Sequence, residues 1–180
     1  MLCSDIPARS PPLTAEPNPY LYVLDRQLSR TEVLAGLAGV PRHLGDVVSV
    51  ASAERLSRAP GGEAWSAFQT LCHMRDAVLV YAIRFRWMVF DDDPLLPNYD
   101  ENNWVAAAND TPADAMEIVE EVAASRRDLV RVLSRLPESA WERTGRHELA
   151  GSVCLDHYVR HQLAHEEQHL EQMRAALGER

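Results

Sequence analysis

Four helix-start signals divide the chain between residues 29 and 156, and they restrict what it can fold into. In a capping box such as Ser29–Glu32, each side chain accepts a hydrogen bond from the other residue's backbone amide. The other three starts are the box Ser66–Gln69, the cap Thr111 before Pro112, and Ser152 with Asp156 in its first turn. Gly178 follows the last apolar residue as a helix-ending glycine. The chain is therefore predicted to form four helices.

Apolar residues recur at helical spacing in all four segments. Helices are predicted over about 30–52, 66–90, 113–136 and 152–177, with a kink or break near Pro41 in the first. The predicted core stripe of the second helix is Phe68, Cys72, Leu79, Ile83, Trp87 and Phe90. No alternating stretch predicts a strand. The predicted fold class is all-α, a four-helix bundle.

Proline spacing separates an N-terminal arm from the bundle. Five prolines fall within residues 1–23, which are predicted to form an extended, irregular arm, and residues 24–180 form the bundle domain. Residues 91–111 form a long connection with two prolines, a length typical of functional lids and crossovers.

The charge balance excludes some classes of partner. Eighteen arginines, with no lysine, face 27 acidic residues, which gives a net charge of −9. Nucleic acids and anionic membranes bind cationic patches, so neither is expected as a partner. No apolar run is long enough to span a bilayer, and three scattered cysteines do not form a disulfide framework. A cytoplasmic location is expected.

Four of the seven histidines lie four residues apart in the last predicted helix, at His157, His161, His165 and His169. Neighbouring members share one helix face, and two imidazoles one turn apart can bind the same metal ion. The alternative is a run of polar surface histidines. A third ligand must come from another helix, and His73 is the candidate, although a single histidine on an amphipathic helix more often has a structural role. His43 and His147 are expected at the surface.

Two metalloenzyme patterns overlap this run. His165-Glu166-Glu167-Gln168-His169 matches the H-E-x-x-H pattern of zinc proteases, but only eleven residues follow it, and the downstream ligands are missing. Glu166-x-x-His169 matches half of a di-iron motif, whose second copy is absent from the chain. Both interpretations are disfavoured.

Several motifs taken together resemble the DinB-like superfamily over about residues 25–177. They are Trp65-Ser66, Leu71-Cys72-His73-Met74-Arg75-Asp76, Pro97-Asn98-Tyr99-Asp100-Glu101-Asn102-Asn103-Trp104-Val105, and His161…His165-x-x-x-His169-x-x-Gln172. The resemblance implies an up-down-down-up bundle in which His73, His165 and His169 hold a divalent metal, zinc or nickel. It also implies thiol-dependent transferase or isomerase chemistry with bacillithiol, mycothiol or glutathione. Val78 departs from the family, whose members often have Glu near this position.

The remaining residues of these motifs receive supporting roles. Gln172 is expected to hydrogen-bond a ligand or a metal-bound water, and Asp76 and His161 to orient a ligand imidazole. Glu166 is expected to be a solvated helix charge, with a role as base only if it bends toward the ion. Tyr99, Asp100 and Trp104 are assigned either to the pocket mouth or to loop packing.

The expected function is S-transfer from a low-molecular-weight thiol to a small electrophile in stress or detoxification. The alternative is a non-catalytic, stress-related metal-binding bundle. A homodimer is one expected assembly, because bundles with exposed apolar edges commonly pair.

Overall fold

The computed structural model describes residues 27–178, which form a four-helix bundle with a small sheet at one end. The four long helices are α1 (Arg30–Ser49), α3 (Ala67–Phe90), α5 (Ala115–Leu133) and α6 (Leu155–Ala176). Two short helices, α2 (Ala53–Ser57) and α4 (Glu101–Ala107), lie in the connections. The strands are β1 (Leu95–Leu96), β2 (Thr144–His147) and β3 (Gly151–Cys154). The predicted arm lies outside the described residues.

Contacts between helices fix their relative directions. Near the start of both α1 and α6, Arg30 hydrogen-bonds Asp156, so these helices run parallel. Helix α3 runs antiparallel to α6, because His73 near its start meets His165 and Arg84 near its end meets Tyr158.

Helix α5 runs in the same direction as α3. Arg75 in the first half of α3 approaches Glu121 near the start of α5, and Arg86 near the end of α3 pairs with Asp128 in the second half of α5. The direction is therefore up-down-down-up, as the resemblance implied. Because α3 and α5 are parallel neighbours, the chain must cross the length of the bundle between them, which explains the long connection at residues 91–114.

Three of the four predicted helix starts are confirmed. Ser29 with Glu32 and Ser66 with Gln69 form complete capping boxes, and Thr111 with Asp114 forms one at a 3₁₀ turn (Pro112–Asp114) that leads into α5. The fourth is wrong, because Ser152 lies in β3 and Cys154 is the N-cap of α6. Gly178 has a φ of 73°, the left-handed conformation expected after a helix end.

Helix α1 does not break at Pro41, although a break was one of the two predicted alternatives. Helix α1 continues from Arg30 to Ser49 with Pro41 inside it. Proline removes one helical hydrogen bond, but the segment is held against α5 and α6 by residues that remain buried on one face, Val33, Leu37, Val40, Leu44 and Val47.

Gly36 permits a close approach of α1 to α6, since a Cβ there would lie 2.9 Å from a methyl carbon of Leu163 on α6.

The mostly helical fold confirms the predicted class, and a small sheet of three short strands accompanies the bundle. β2 and β3 form an antiparallel hairpin, and β1 pairs in parallel with β2. A Cβ at Gly145 would lie 3.0 Å from Leu96 and 3.1 Å from Met88, so the glycine lets β2 pack against β1 and α3. Strands of two to four residues are too short to show a reliable alternating pattern.

The buried face of α3 differs from the predicted stripe. Phe68 and Cys72 are buried, but the other four members, Leu79, Ile83, Trp87 and Phe90, are exposed. The core instead receives Leu71, Met74, Val78, Tyr81, Phe85 and Met88. Helix α3 is apolar on two faces, so its periodicity alone does not say which face is buried. Within residues 27–178, no helix combines the length and apolar character that a membrane span requires.

Candidate metal centre

Three imidazoles from α3 and α6 converge inside the bundle. The Nε2 atom of His165 lies 3.4 Å from Nε2 of His73 and 3.0 Å from Nε2 of His169. His165 and His169 lie one turn apart on α6, and the antiparallel crossing of α3 brings His73 opposite them. Among the described residues, these three form a group whose ligand atoms could hold a metal ion.

The distances fit a divalent ion. Two nitrogens bound to one tetrahedral ion at about 2.0–2.1 Å lie about 3.4 Å apart. The Nδ1 atoms of His73 and His165 are buried and have no hydrogen-bond partner. Their Nε2 atoms are the ones that lie close to the neighbouring imidazoles. Three nitrogen ligands and no carboxylate suit zinc or nickel better than magnesium or calcium.

Burial keeps these imidazoles neutral, which is the state that binds metal. Desolvation, and then repulsion from His169, lowers the pKa of His73 to about 4. Burial also lowers the pKa of His165 well below its usual value, and neighbouring histidines lower it further. Burial lowers the pKa of His169 as well, although Gln172 and Glu101 oppose this effect.

Gln172 holds the third imidazole in a defined orientation. Its Oε1 atom lies 2.8 Å from Nδ1 of His169. Because a glutamine carbonyl can only accept, Nδ1 carries the proton and leaves the Nε2 lone pair available to a metal. The bond in this structure is the one that Gln172 accepts from His169.

A cavity of about 240 Å³ lies against the triad. Its rim includes the partly exposed residues Trp65, Tyr99 and Glu101 together with Asn98, and its interior includes buried Tyr81 and His161. The Trp65 ring lies 4.9 Å from the ring of His73 and 6.5 Å from that of His169. The three imidazoles therefore border a small space that reaches solvent, and aromatic rings shield its metal-binding end.

Arg84 and His147 line the same cavity. Arg84 is 4% exposed, and it donates to the hydroxyl of Tyr158 at 2.6 Å and to the backbone carbonyl of Pro97. Arg84 is a cavity residue that was not predicted from the sequence. Its position eleven residues after His73, close to three full helical turns, was the available signal.

The expectation that His147 lies at the surface is wrong. Its side chain is 4% exposed, and its Nδ1 accepts hydrogen bonds from the amides of Leu149 and Ala150. Desolvation, and then the charge of Arg84, lowers its pKa to about 4, against an opposing effect of Glu148. The neutral ring therefore carries its proton on Nε2. His147 ends a four-residue strand that the sequence did not predict. His43, in contrast, is exposed as expected.

The other predicted site residues divide between the cavity and the loops. Tyr99 lines the cavity and packs 4.8 Å from the ring of Trp104, which is 47% exposed. Asp100 caps α4 by accepting from the amide of Asn103. Asp76 pairs with Arg75. The His161 ring lies 6.1 Å from that of His165, on the cavity wall.

Glu166 is not the solvated charge that the sequence predicted. It is 1% exposed and pairs with equally buried Arg126 of α5, and Gln162 also donates to it at 3.1 Å. Burial raises its pKa, and the Arg126 guanidinium opposes that effect. Glu166 does not line the cavity, so it is placed away from the base position of a zinc protease.

Comparisons with known proteins identify the family of this chain. The family model of the DinB superfamily matches residues 37–173, so the chain belongs to that superfamily. A protein of Oceanobacillus iheyensis named "Putative metal-dependent hydrolase" is 25% identical over 135 residues, which cover 75% of this chain and 78% of the relative. A protein of Geobacillus kaustophilus with the same name is 28% identical over 78 residues, 43% of this chain and 44% of that protein.

A solved structure shares the fold. YfiT from Bacillus subtilis, described as a probable metal-dependent hydrolase with an unusual four-helix bundle topology, superposes with a TM-score of 0.77. The match covers 84% of this chain and 89% of that chain at 20% sequence identity. At this identity the likeness establishes the fold.

Proposed function

We propose that this member of the DinB superfamily is a divalent-metal-dependent enzyme that transfers a small thiol to an electrophile. His73, His165 and His169 hold the ion, with zinc or nickel as the metal. The observation that carries this proposal is the position of the triad at the wall of a cavity that opens to solvent. A purely structural metal site is closed by a fourth protein ligand, whereas a catalytic site leaves a position open.

The donor set suits activation of a nucleophile. A divalent ion bound by three neutral imidazoles acts as a Lewis acid and lowers the pKa of a thiol or water at its open position. The chain contributes fixed geometry, because Gln172 orients His169 and Trp65 covers the rings of His73 and His169. The thiol must come from a cosubstrate. Cys72 is buried outside the cavity lining, and burial raises its pKa to about 11.

The proposed reaction balances without a redox partner. The thiol loses its S–H proton, its sulfur forms a bond to an electrophilic carbon, and the leaving group departs with the electron pair of the broken bond. Among residues 27–178, Glu101 is the carboxylate that lines the cavity, and its charge opposes the burial that lowers the pKa of His169. We assign Glu101 as the acceptor of the released proton.

Hydrolysis is a second candidate, and the names of the relatives favour it. Water requires a positioned base, and Glu101 could serve as one in this site too. Thiol transfer remains the first choice because a thiol has a pKa near 8.5, so that it loses its proton without a strong base. Glu166, the base position of the zinc protease pattern, is occupied in the ion pair with Arg126.

A direct comparison of rates tests the proposal. Zinc- and nickel-loaded protein is assayed with glutathione, bacillithiol and mycothiol against 1-chloro-2,4-dinitrobenzene, and separately with p-nitrophenyl acetate in the absence of thiol. We expect a metal-dependent thiol reaction that His73→Ala abolishes and that His43→Ala, at an exposed histidine, leaves unchanged. A metal-dependent rate with the ester alone would select hydrolysis. Stoichiometric metal with neither reaction would favour the non-catalytic bundle.

A further inference from the structure

We propose that Arg84 binds an anionic group, a carboxylate or a phosphate, on the small molecule that occupies the cavity. This inference rests on the proposed function, because it places the anionic end of a substrate or cosubstrate at the opposite end of the cavity from the histidine triad. It identifies Arg84 as a specificity-determining residue and narrows the ligands of this site to small anions.

The Arg84 guanidinium is buried and its named partners are neutral. NH1 donates to the Tyr158 hydroxyl and NH2 to the Pro97 carbonyl, while the buried Nε has no hydrogen-bond partner. The Tyr99 ring lies 6.0 Å from its central carbon. A guanidinium has five N–H donors in a fixed fork, and two of its three nitrogens are engaged here.

No carboxylate between residues 27 and 178 lies within ion-pair distance of Arg84. The other fully buried arginine, Arg126, pairs with Glu166. A buried charge without a counter-charge costs several kcal/mol, so such groups are rare unless a partner or a ligand compensates them. Because Arg84 lines the cavity, an anion that enters the cavity can supply the missing charge.

The position of Arg84 also fixes where the anion lies relative to the triad. Arg84 follows His73 by eleven residues on α3, and Tyr158 precedes His169 by eleven residues on α6. Eleven residues make about three turns, so the two members of each pair lie on the same face of their helix. The backbone rises by about 16 Å between them. The antiparallel helices thus present a histidine end and an arginine end to the same cavity. A ligand that meets both ends carries its anionic group several bonds from its reacting atom.

In the part of the chain that the structure describes, residues 27–178, the lining around Arg84 adds no negative charge that would compete with an anion. His147 is neutral near pH 7, and Tyr81 and Tyr99 are uncharged aromatic residues. Glu101, the lining carboxylate, interacts with His169 at the histidine end. The cavity of about 240 Å³ admits a small molecule of this kind.

Mercaptocarboxylates of increasing length test both ends of the cavity. Cobalt-loaded protein is titrated with mercaptoacetate, 4-mercaptobutanoate and 6-mercaptohexanoate, and with their uncharged amides, and the thiolate–cobalt absorption band reports binding. We expect the carboxylate of the best-fitting length to bind at least tenfold more tightly than its amide, because hydrogen bonds between charged groups are stronger than those between neutral groups. Arg84→Gln should reduce this ratio to about one. Arg86→Gln, on the same helix but paired with Asp128 outside the cavity, should preserve it.

A second measurement needs neither a variant nor a metal. In metal-free wild-type protein, hexanoate should shift the ¹⁵N–¹H resonance of the Arg84 Nε, and hexanamide should not. If Arg84→Gln fails to fold, Arg84→Lys replaces it in the titration. Lysine keeps the charge but has no fork of donors, so this variant should show an intermediate preference for the carboxylate over the amide. Equal binding of acid and amide in the wild type, or a carboxylate preference that persists in Arg84→Gln, would overturn the proposal. Absence of the cobalt–thiolate band alone would count against the proposed function, while the resonance test still decides the role of Arg84.

Discussion

The Oε1 atom of Gln172 lies 2.8 Å from Nδ1 of His169 and fixes the proton on that nitrogen. Gln172→Ala removes this acceptor, so the imidazole can rotate or change tautomer. We expect metal affinity to fall by about 10- to 100-fold, the usual effect of losing such an orienting partner. Competition with a chromogenic chelator measures the affinity.

Gln168→Ala provides the matched control, because Gln168 is exposed on the same helix one residue before His169. Its metal affinity should equal that of the wild type. Equal affinity in the Gln172→Ala variant would show that the hydrogen bond does not support a ligand.

The ion pair between Arg126 and Glu166 is buried on both sides, with each side chain 1% exposed. Glu166→Gln leaves the Arg126 charge uncompensated, so we expect the free energy of unfolding to fall by about 3–5 kcal/mol in urea denaturation. Glu171→Gln, at an exposed position of the same helix, should change it by less than about 0.5 kcal/mol. Similar stabilities for the two variants would contradict the ion pair.

The buried His147 predicts a pH dependence of stability in the metal-free protein. Its pKa is about 4 in the folded chain against 6.5 as its ordinary value, so the unfolded state binds a proton that the folded state excludes. The contribution of this difference to the free energy of unfolding is fully present above pH 6.5 and is lost as the pH falls toward 4. His147→Asn keeps an acceptor for the amides of Leu149 and Ala150 but does not titrate. Its stability should fall less steeply over this range, and parallel curves would contradict the buried neutral imidazole.

The contact between Gly36 and Leu163 predicts that the same substitution has different effects on stability in two backgrounds. In the wild type, the new Cβ of Gly36→Ala meets Leu163 at 2.9 Å, which offsets the gain of about 1 kcal/mol that alanine brings to a helix. In the Leu163→Ala background, the space is open and the full gain should appear. Gly39→Ala, whose Cβ would find its nearest atom at 3.8 Å, should stabilise in both backgrounds. Thermal unfolding of the single and double variants measures the coupling.

Local signals predicted the helices well but not which face of each is buried. The capping boxes at Ser29 and Ser66 are confirmed because they involve residues three apart, which the sequence shows directly. The exposure of Ile83 and Trp87 depends on which neighbour α3 packs against, and that is a tertiary property. The continuous helix through Pro41 has the same cause, since packing outweighs the lost hydrogen bond.

The site was predictable where its residues share one helix. The spacing of His165 and His169 predicts that they lie close together. His73 on α3 was the candidate third ligand from the sequence, and the family resemblance implied the same three residues. Arg84 and His147 were not predicted as site residues because their positions depend on contacts between distant parts of the chain. Arg84 contacts Tyr158 of another helix, and a hairpin positions His147. The burial of Glu166 followed from Arg126 on α5, a partner forty residues away.

Metal content is the most direct test of the three-histidine centre. Untagged protein is purified without chelator, supplied with zinc or nickel, desalted and measured by elemental analysis beside His73→Ala and His43→Ala. We predict one equivalent of metal in the wild type and in His43→Ala, and loss of that metal from His73→Ala while its circular dichroism remains helical. A full equivalent retained by folded His73→Ala, or no metal bound by the wild type, would contradict the centre.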